Sequence, residues 1–396
     1  MSQEALLEMA RNNAKHAEAG TVDLAEDVLR VPAEHYYDEE RWELEMNQVF
    51  RRLPMMLAAS CELPEPGDYK ALEAAGMAVL ISRGKDGEVR AFMNMCRHRG
   101  AQVMPEGCGN SHRFTCPYHA WTYNLEGELS GVYAAKEFGD LDKADNGLRP
   151  LPCLERAGLI WVTPNPESTL DIKTFLCGYD DMLGHFNFKD WHMFSQRTVA
   201  GPNWKIAYDG YLDFYHLPIL HKDSFGSDFP SQAFYHSWGP HQRVSAPNPV
   251  FNESGEDGWT DQLMLDGVWT IFPHVSIASF DGGGRGVMIS QLFPGKTPQD
   301  SVTVQNYLME NLPPTEEATQ AAHEQFAFLE HVVKNEDYST GLLQQSNLIT
   351  GKLGEVMFGR NEGGGQNFHG WLDRVLNTPD EKLNDLFTQA ERSLRV

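Results

Sequence analysis

Residues 94–103 read NMCRHRGAQV, and residues 116–129 read CPYHAWTYNLEGEL. Each stretch contains a cysteine that is followed, two or three residues later, by a histidine: Cys96 with His98, and Cys116 with His119. Two cysteines and two histidines in two short loops can hold either one tetrahedral zinc or a [2Fe-2S] cluster, in which thiolates bind one iron and imidazoles the other. Zinc sites more often use pairs of like residues, C-x2-C or H-x3-5-H. The mixed pairs therefore favour the iron–sulfur cluster, with zinc as the alternative.

The sequence around these two loops is typical of a small all-β module. Between about residues 54 and 165, short apolar runs alternate with turns that contain Gly, Pro and Asp. The run GMAVLISRGKDGEVRAFMN, at residues 76–94, has a Lys-Asp-Gly turn between two stretches of strand-forming residues, and a Leu-Glu-Gly turn follows at residues 125–127. Turns of this kind between β-rich runs predict hairpins. We therefore expect this part of the chain to be all-β.

The rest of the chain predicts helices and strands in mixture. Residues 38–51 carry apolar or aromatic residues at helical spacing, and residues 315–350 are rich in Ala, Glu and Leu, so both are expected to be helical. Strand-like runs between about residues 265 and 310 are expected to form an antiparallel sheet. The second module is therefore expected to be α+β.

A second group of potential metal ligands lies in NWKIAYDGYLDFYHLPILH, residues 203–221. Asp213, His216 and His221 have the spacing D-x2-H-x4-H. On a helix, residues three apart share a face, whereas residues five apart are separated by about 140°. Pro218 disfavours helical geometry at the preceding residue and would bend the chain so that the two histidines meet. Two histidines and a carboxylate form the ligand set of O2-activating non-haem Fe(II), although one half-buried and one surface histidine would explain the same residues.

Composition and charge exclude several classes of function. The 396-residue chain has a formal net charge of −24, so it would repel the phosphates of nucleic acids. No stretch approaches the ~18 consecutive apolar residues of a membrane span. Residues 1–20 carry charges throughout and lack the apolar core of a signal peptide, so we expect a cytoplasmic protein. Because no strand–turn–helix G-x-G-x-x-G fingerprint is present, we expect no nicotinamide cofactor on this chain.

The two Cys/His loops and the strands before them closely resemble the cluster-binding loops of Rieske non-haem iron oxygenase alpha subunits, the terminal oxygenases of the aromatic-ring-hydroxylating family. The similarity covers most of residues 30–165. It implies a β-rich Rieske [2Fe-2S] domain inserted into an α+β catalytic domain with an antiparallel sheet and helices. The implied boundaries are a helical part of the catalytic domain at 1–52, the Rieske domain at 53–165 and the catalytic domain with its mononuclear iron at 166–396. The four residues that the resemblance assigns to the cluster are Cys96, His98, Cys116 and His119.

NWKIAYDGYLDFYHLPILH resembles the segment of this family that binds the mononuclear Fe(II), and the resemblance makes His216 and His221 the iron ligands. It gives Asp213 another role, that of a hydrogen-bonded electron-transfer bridge between an iron-ligand histidine and a cluster-ligand histidine of the neighbouring subunit. The third ligand is expected to be Asp337, in a run similar to the family's Glu-Asp segment, and the adjacent Glu336 is its rival.

The resemblance also implies a multicomponent reaction. A reductase, directly or through a ferredoxin, supplies electrons to the cluster, and O2 then oxidises a small apolar substrate, foremost an aromatic one, at the mononuclear iron. We expect cis-dihydroxylation or hydroxylation, with O- or N-demethylation as the alternative, because the same metal ligands serve all of these outcomes. Where the family usually has Glu-Asn, this chain has Asp209-Gly210, so the position of attack cannot be transferred from relatives. Candidates for the substrate pocket are Phe214, Leu217 and Phe272.

The resemblance implies a homotrimer, with or without a small beta subunit, in which electrons pass between subunits. Two other classes of protein remain as alternatives at this stage. A Rieske electron carrier with an appended domain would contain no second iron, and a structural zinc protein would be colourless.

Overall fold

The computed structural model describes residues 2–390 and the backbone of residues 392–394, and it divides into two compact units. The first, called the β unit here, comprises Phe50–Ile172 and Phe188–Asp190. The other described residues form the second, called the α+β unit. Along the chain, the β unit is therefore inserted between segments of the α+β unit, which confirms the predicted fold class.

The chain begins in the α+β unit with two helices and one strand: α1 (Ser2–Ala19), β1 (Leu29–Pro32) and α2 (Glu39–Glu45). Asp38 caps α2, because its carboxylate accepts a hydrogen bond of 2.7 Å from the backbone N–H of Arg41. A π-helical turn, Met46–Phe50, continues this helix. The helix that the sequence predicts at residues 38–51 is thus present, and it changes from α to π geometry in its second half.

The β unit is built from antiparallel strands in three sheets, with the orders β10-β5-β4-β3-β6, β11-β12-β2 and β7-β8-β9. One apolar cluster in this unit includes both loop cysteines, which pack with Phe92, Phe114 and Trp121. The two Cys/His loops are therefore packed into an apolar core of the β unit. The elements of the unit are β2 (Met55–Ala59), β3 (Asp68–Ala74), β4 (Met77–Arg83), β5 (Val89–Met93), β6 (Gly107–Asn110), β7 (Phe114–Thr115), β8 (Thr122–Tyr123), β9 (Leu129–Gly131), α3 (Ala135–Phe138), β10 (Pro150–Leu151), β11 (Cys153–Arg156) and β12 (Leu159–Val162).

The α+β unit is organised on an eight-stranded antiparallel sheet with the order β13-β19-β18-β17-β16-β15-β14-β21. Strands β16 to β19 are neighbours in the sheet and are joined in sequence, which confirms the antiparallel sheet predicted near residues 265–310. The elements from here to the end are α4 (Ile172–Phe175), α5 (Tyr179–Leu183), β13 (His192–Gly201), α6 (Trp204–Asp209), α7 (Leu217–Leu220), β14 (Phe234–Trp238), β15 (His241–Ser245), α8 (Val250–Ser254), α9 (Asp261–Met264), β16 (Val268–Ile271), β17 (Val275–Asp281), β18 (Arg285–Pro294), β19 (Ser301–Met309), α10 (Glu316–His331), α11 (Tyr338–Leu348), β20 (Glu355–Phe358), α12 (Gly363–Leu376), α13 (Leu383–Thr388) and β21 (Arg392–Leu394).

Residues 316–348 form one helical stretch in three parts, because the π-helical turn Val332–Asp337 lies between α10 and α11. Thr315 caps its start by accepting a hydrogen bond of 3.1 Å from the backbone N–H of Ala318. The sequence predicts this helix but not its π turn. Among the helices of the described residues, none is long and apolar enough to cross a bilayer.

Candidate metal centres

The two Cys/His loops of the β unit have the same backbone geometry. In each loop, the backbone carbonyl of the cysteine accepts a hydrogen bond from the backbone N–H four residues later. The backbone N–H of the cysteine donates a hydrogen bond to the carbonyl five residues later. Gly100 and Ala120 occupy the same position in the two loops, and both have a positive φ, of 76° and 55°. Each loop is therefore a tight turn that fixes its cysteine and histidine. The four bonds are Gly100 N–Cys96 O at 2.9 Å, Cys96 N–Ala101 O at 2.8 Å, Ala120 N–Cys116 O at 3.0 Å and Cys116 N–Trp121 O at 2.8 Å.

The turns bring the two histidines together. The Nδ1 atoms of His98 and His119 lie 3.1 Å apart, and their ring centroids are 4.6 Å apart. Trp121 stacks on His98 with an interplanar angle of 8°, and Tyr118 covers His119 at 3.7 Å. Two ring nitrogens that face each other so closely must share a proton or a metal ion, because each neutral imidazole has only one lone pair. This geometry fits one iron bound by both Nδ1 atoms.

The two cysteines are buried, with exposed fractions of 3% for Cys96 and 2% for Cys116. The Tyr123 hydroxyl accepts a hydrogen bond of 3.0 Å from the backbone N–H of Arg97, so its own proton is free to point to Cys96 Sγ, 3.3 Å away. A donor aimed at sulfur fits a thiolate ligand. Burial raises the pKa of the Cys96 thiol, and a bound cation is what would hold the sulfur ionised there.

The four loop residues do not fit the zinc alternative. In a single tetrahedral zinc site, the four ligand atoms lie within about 3.8 Å of one another. Within the described part of the chain, one group of three or more His, Cys, Asp or Glu residues has ligand atoms that all lie within 4.8 Å of one another, and that group does not include the loop residues. A histidine pair set apart from a cysteine pair instead fits a cluster with two irons.

That one group is formed by His216, His221 and Asp337, in the α+β unit. The two histidines flank α7: His216 is its N-cap, and His221 is its C-cap. Asp337 is the last residue of the π-helical turn between α10 and α11. Asp337 Oδ1 lies 3.1 Å from His221 Nε2 and 3.8 Å from His216 Nε2. The structure therefore brings together the three residues that the sequence predicted as ligands of the mononuclear iron.

The local structure of the histidine segment differs from the prediction. The sequence predicts that Asp213 and His216 share one face of a helix and that Pro218 bends the chain after them. In the structure, α6 ends at Asp209, a non-helical stretch carries Asp213 and His216, and α7 begins at Leu217. Pro218 lies in the first turn of α7, where a proline is compatible with a helix because its missing N–H needs no partner. The proline starts a one-turn helix, and the histidines sit at its two ends.

The Nδ1 atom of each triad histidine is hydrogen-bonded to a carboxylate that lies outside the triad. Asp213 Oδ1 accepts from His216 Nδ1 at 3.0 Å and from the backbone N–H of His216 at 3.2 Å. Glu336 Oε2 lies 2.6 Å from His221 Nδ1, and the Ser224 hydroxyl donates to Glu336 Oε1, also at 2.6 Å. With Nδ1 protonated and occupied, each imidazole presents the lone pair of Nε2 to the same point. This arrangement fits a metal bound by two Nε2 atoms and Asp337.

Glu336 has a role that the sequence does not reveal, since the sequence marks it only as a rival ligand. Burial alone would lower the pKa of His221, but its hydrogen bonds with Asp337 and Glu336 raise that pKa. Burial raises the pKa of Glu336, but the bonds from Ser224 and His221 outweigh burial and lower it. Glu336 is therefore held as a carboxylate that orients His221.

Asp209, which replaces the glutamate usual in the family, also accepts hydrogen bonds from buried side chains. It accepts a hydrogen bond of 2.8 Å from the Tyr36 hydroxyl and one of 3.0 Å from His369 Nε2. His369 is 4% exposed, so it is a buried member of this hydrogen-bonded group. These bonds fix the end of α6, from which the chain continues to the histidine segment.

An aromatic cluster lies beside the triad. The Phe225 ring packs 5.5 Å from the ring of His221, and Phe328 and Phe229 pack 5.7 and 5.8 Å from Phe225. Phe214 closes the cluster, 6.5 Å from Phe229. Of these four, only Phe214 is predicted from the sequence as a pocket residue. Phe225 lies four residues after His221, and its backbone N–H donates to the His221 carbonyl at 2.7 Å. This spacing is the signal that could have identified a second pocket residue.

The other two predicted pocket residues occupy different places. Leu217 packs against the group of Phe214, Tyr235 and Val244, next to the histidine segment. Phe272 is 1% exposed, and its ring packs 5.8 Å from Phe368 of α12. The structure thus groups Phe214 with Leu217, while the described ring contact of Phe272 is with α12.

Comparison with known proteins identifies both units. Residues 54–152 match the family model of the Rieske [2Fe-2S] domain, and residues 188–378 match that of the ring hydroxylating alpha subunit catalytic domain. The glycine betaine monooxygenase oxygenase subunit of Pseudomonas aeruginosa is 30% identical over 214 residues, which are 53% of this chain and 49% of that protein. The chain thus spans about half the length of the curated relatives that it matches.

Two solved structures share the fold. A quaternary ammonium Rieske monooxygenase in complex with L-carnitine has a TM-score of 0.74 and 21% identity, covering 89% of this chain and 97% of that chain. Naphthalene 1,2-dioxygenase from Rhodococcus sp. bound to indole has a TM-score of 0.74 and 20% identity, covering 96% of this chain and 100% of that chain. At these identities, the similarity establishes the fold alone.

Proposed function

Because this chain belongs to the Rieske non-haem iron oxygenase alpha subunits, we propose that it is the terminal oxygenase of a multicomponent system and oxidises a small, largely apolar molecule with O2. The observation that carries the proposal is the convergence of His216 Nε2, His221 Nε2 and Asp337 in a chain that also carries a Rieske domain. Three protein ligands leave positions open on an iron, as O2 activation requires. A Rieske electron carrier would need no such triad.

The chain's own residues bind and orient in this proposal. Cys96, His98, Cys116 and His119 would hold the cluster, which would supply single electrons, and the triad would hold the iron, which would supply O2 activation. The carboxylates of Asp213 and Glu336 keep the two imidazoles in the tautomer that presents Nε2 to the metal. The aromatic cluster of Phe214, Phe225, Phe229 and Phe328 offers an apolar wall that excludes water beside His221.

Electrons would come from a reductase, directly or through a ferredoxin, and would reach the iron through Asp213 within a homotrimer, with or without a small beta subunit. Two observations support this role for Asp213. Its carboxylate accepts a hydrogen bond from His216 Nδ1, and its side chain is 17% exposed, so a second group can reach it. A carboxylate can accept from a second imidazole with its remaining lone pairs. The proposed boundaries keep the Rieske domain at 53–165 and the catalytic domain at 1–52 and 166–396.

The proposed outcome is hydroxylation or cis-dihydroxylation of an aromatic substrate, supported by the phenylalanine rings beside the triad. N-demethylation of a quaternary ammonium compound is the second candidate. It is favoured by the similarity to the glycine betaine monooxygenase oxygenase subunit and by the fact that aromatic faces also attract ammonium cations. The same triad would serve either outcome.

The experiment uses the iron-loaded protein with a ferredoxin–reductase pair and NADH under 18O2. Naphthalene and indole test ring oxidation, whereas glycine betaine and carnitine test N-demethylation. Label from 18O2 in a phenol or diol supports the first outcome, and formaldehyde release from either ammonium compound supports the second. His216→Ala serves as the control and should abolish both products. A protein that binds about two irons instead of three, and oxidises nothing, would be an electron carrier.

A further inference from the structure

The chain between α6 and α7, residues 210–216, is called the linker here, and it carries Asp213 and His216. The linker is not helical, since α6 ends at Asp209 and α7 begins at Leu217. A stretch without the regular hydrogen bonds of a helix or strand is held mainly by what packs against it. The elements that contact the linker therefore decide where Asp213 and His216 lie.

Helix α12 holds the start of the linker through a buried hydrogen bond. Its residue His369 is 4% exposed, and His369 Nε2 donates to Asp209 Oδ1 at 3.0 Å. The Tyr36 hydroxyl donates to the other oxygen of the same carboxylate at 2.8 Å. Asp209 is the last residue of α6, so the bond from His369 fixes the point at which the linker leaves that helix.

The first turn of α12 approaches the middle of the linker so closely that only glycine fits. A Cβ atom at Gly364 would lie 2.2 Å from the carbonyl oxygen of Leu212 and 3.0 Å from Cε1 of Tyr235. Leu212 is 0% exposed and directly precedes Asp213. Close approach of two backbones is one of the roles of glycine, because it has no side chain to intervene. The position of Leu212 thus depends on the absence of a side chain at Gly364.

The first turn of α12 is itself anchored to the eight-stranded sheet. Gln242 of β15 donates from Nε2 to the Gly364 carbonyl at 3.0 Å, and the Tyr235 hydroxyl of β14 donates to the Asn361 carbonyl at 2.7 Å. Gln242 and Tyr235 are 1% and 4% exposed. These buried bonds oppose any retreat of the helix, so a side chain at position 364 would displace Leu212 and the linker.

We propose that Gly364 and His369 of α12 are positioning residues for the mononuclear metal site. They act at two points of the chain, Asp209 and Leu212, and hold the linker where Asp213 accepts from His216 Nδ1 and His216 Nε2 faces the other triad residues. The inference rests on the proposed function, in which the metal is the iron of an oxygenase. Neither residue is assigned a contact with metal or substrate, so both act through the linker.

The test loads Co2+, as a probe, into protein whose cluster is oxidised. Co2+ lies next to Fe2+ in the affinity order of nitrogen and oxygen ligands, and the oxidised cluster gives no EPR signal of its own. Affinity is measured by competition with a chelator, and the EPR spectrum reports the ligand geometry. We expect Gly364→Ala to weaken Co2+ binding about 10- to 100-fold and to change the spectrum, because His216 moves with the linker.

Two control variants separate this effect from a general loss of packing. Gly370→Ala lies on the same helix, where an added Cβ meets nothing within 4 Å, so affinity and spectrum should equal those of the parent. Phe387→Ala removes the ring that stacks on Trp371 of α12 at 6.0 Å. It should lower the melting temperature and leave the metal site unchanged. Parent-like binding in Gly364→Ala would overturn the proposal, as would an equal change in Phe387→Ala.

A second pair of variants tests the contact at Asp209 and decides the question if Gly364→Ala does not fold. His369→Leu removes the donor to Asp209, whereas the amide of His369→Gln can still donate. We expect weaker Co2+ binding and a changed spectrum in His369→Leu, and values near the parent in His369→Gln. The same response in both variants would reject the hydrogen bond as a positioning contact.

Turnover is measured separately with iron, NADH and reductase, so that the two proposals can fail independently. If the variants change the Co2+ site as expected and the parent oxidises nothing, the positioning role stands and the oxygenase function is wrong. If the parent forms oxygenated product and Gly364→Ala and His369→Leu leave the Co2+ site unchanged, the oxygenase function stands and the positioning role is wrong.

Discussion

His221 lies between two consecutive carboxylates, with its Nδ1 2.6 Å from Glu336 Oε2 and its Nε2 3.1 Å from Asp337 Oδ1. On a regular α-helix, adjacent side chains diverge by about 100°, which would make it hard for both to reach one imidazole. Both residues lie in the π-helical turn Val332–Asp337. Such turns are frequent at functional sites, and this one lets one carboxylate orient the histidine while the next faces its Nε2 atom.

We predict that Glu336→Ala weakens binding of the mononuclear iron about 10- to 100-fold, since His221 loses the partner that fixes its ring. Glu336→Gln should weaken it less, because the amide oxygen can still accept from Nδ1. Asp337→Ala should abolish binding. Iron affinity is measured by competition with a chelator while the cluster absorption is monitored. Glu324→Ala, at an exposed position of α10, is the control.

Parent-like affinity in Glu336→Ala would contradict the orienting role. If Glu336→Ala releases all mononuclear iron while Asp337→Ala retains it, the two carboxylates have the opposite roles.

The two metal centres should be separable by single substitutions. The parent protein is expected to be red-brown and to bind about two cluster irons and one mononuclear iron per chain. Cys116→Ser should abolish the cluster spectrum, because the serine hydroxyl is a poor ligand in place of a thiolate. His216→Ala should remove the mononuclear iron and leave the cluster reducible. Iron analysis and visible spectra check both, and a cluster that survives Cys116→Ser would refute that ligand.

The sequence was sufficient for the architecture, and it named the residues that the structure brings together in the triad and in the two Cys/His loops. The spacing of Cys96 with His98 and of Cys116 with His119 is visible because each pair lies in one short turn whose geometry is local. The alternation of short apolar runs and turns predicted the β unit, since hairpin turns such as Lys-Asp-Gly are local features of the sequence.

The remaining features depend on packing that no local pattern encodes. Asp337 could be proposed only from resemblance, because it lies more than a hundred residues from His221 along the chain. The role of Glu336 follows from a π turn within an otherwise ordinary helical sequence. The helix predicted across Asp213 and His216 is absent because α6 ends at Asp209 and Pro218 starts a new helix. Ser290 of β18 lies opposite Gln305 of β19, and such a pairing follows from strand register, which only the folded sheet reveals.

Tyr123→Phe should lower the reduction potential of the cluster. The Tyr123 hydroxyl points its proton to Cys96 Sγ at 3.3 Å, and a hydrogen bond to a ligand sulfur favours the reduced, more negative state. A net contribution of about 1 kcal/mol corresponds to roughly 40 mV for one electron. Redox titration followed by visible absorption measures the shift. Tyr118→Phe, which removes an exposed hydroxyl next to His119, should leave the potential unchanged; a parent-like potential in Tyr123→Phe would reject the bond.

Asp213→Asn should retain both metal centres and lose turnover by orders of magnitude, if Asp213 links two imidazoles across subunits as proposed. The amide places a donor where the carboxylate offers an acceptor to a second N–H group. Rapid mixing of pre-reduced protein with O2 and substrate follows reoxidation of the cluster directly. A variant that oxidises its cluster as fast as the parent would show that the bridge is wrong. An active monomer in light scattering would reject the route between subunits.

His241 should make the α+β unit sensitive to acid. This histidine is 0% exposed, and both ring nitrogens are used: Nδ1 accepts from the backbone N–H of Phe272 at 3.2 Å, and Nε2 donates to the Phe175 carbonyl at 3.0 Å. Burial lowers its pKa from 6.5 to about 4, although the bond to the Phe175 carbonyl and the charge of Asp180 oppose the shift. The folded state therefore holds the neutral ring at a pH where the unfolded chain is already protonated.

Between pH 6.5 and about 4, the unfolded chain binds more protons at His241 than the folded protein does, so the free energy of unfolding rises with pH in that window and is lost as the pH falls through it. His241→Gln can keep both hydrogen bonds and cannot titrate. We expect the loss of stability between pH 7 and pH 5 to be about 2 kcal/mol smaller in this variant than in the parent. Urea unfolding followed by tryptophan fluorescence at both pH values measures it, with His192→Gln, at an exposed position, as the control. Equal losses in the parent protein and His241→Gln would mean that His241 titrates as it does in the unfolded chain.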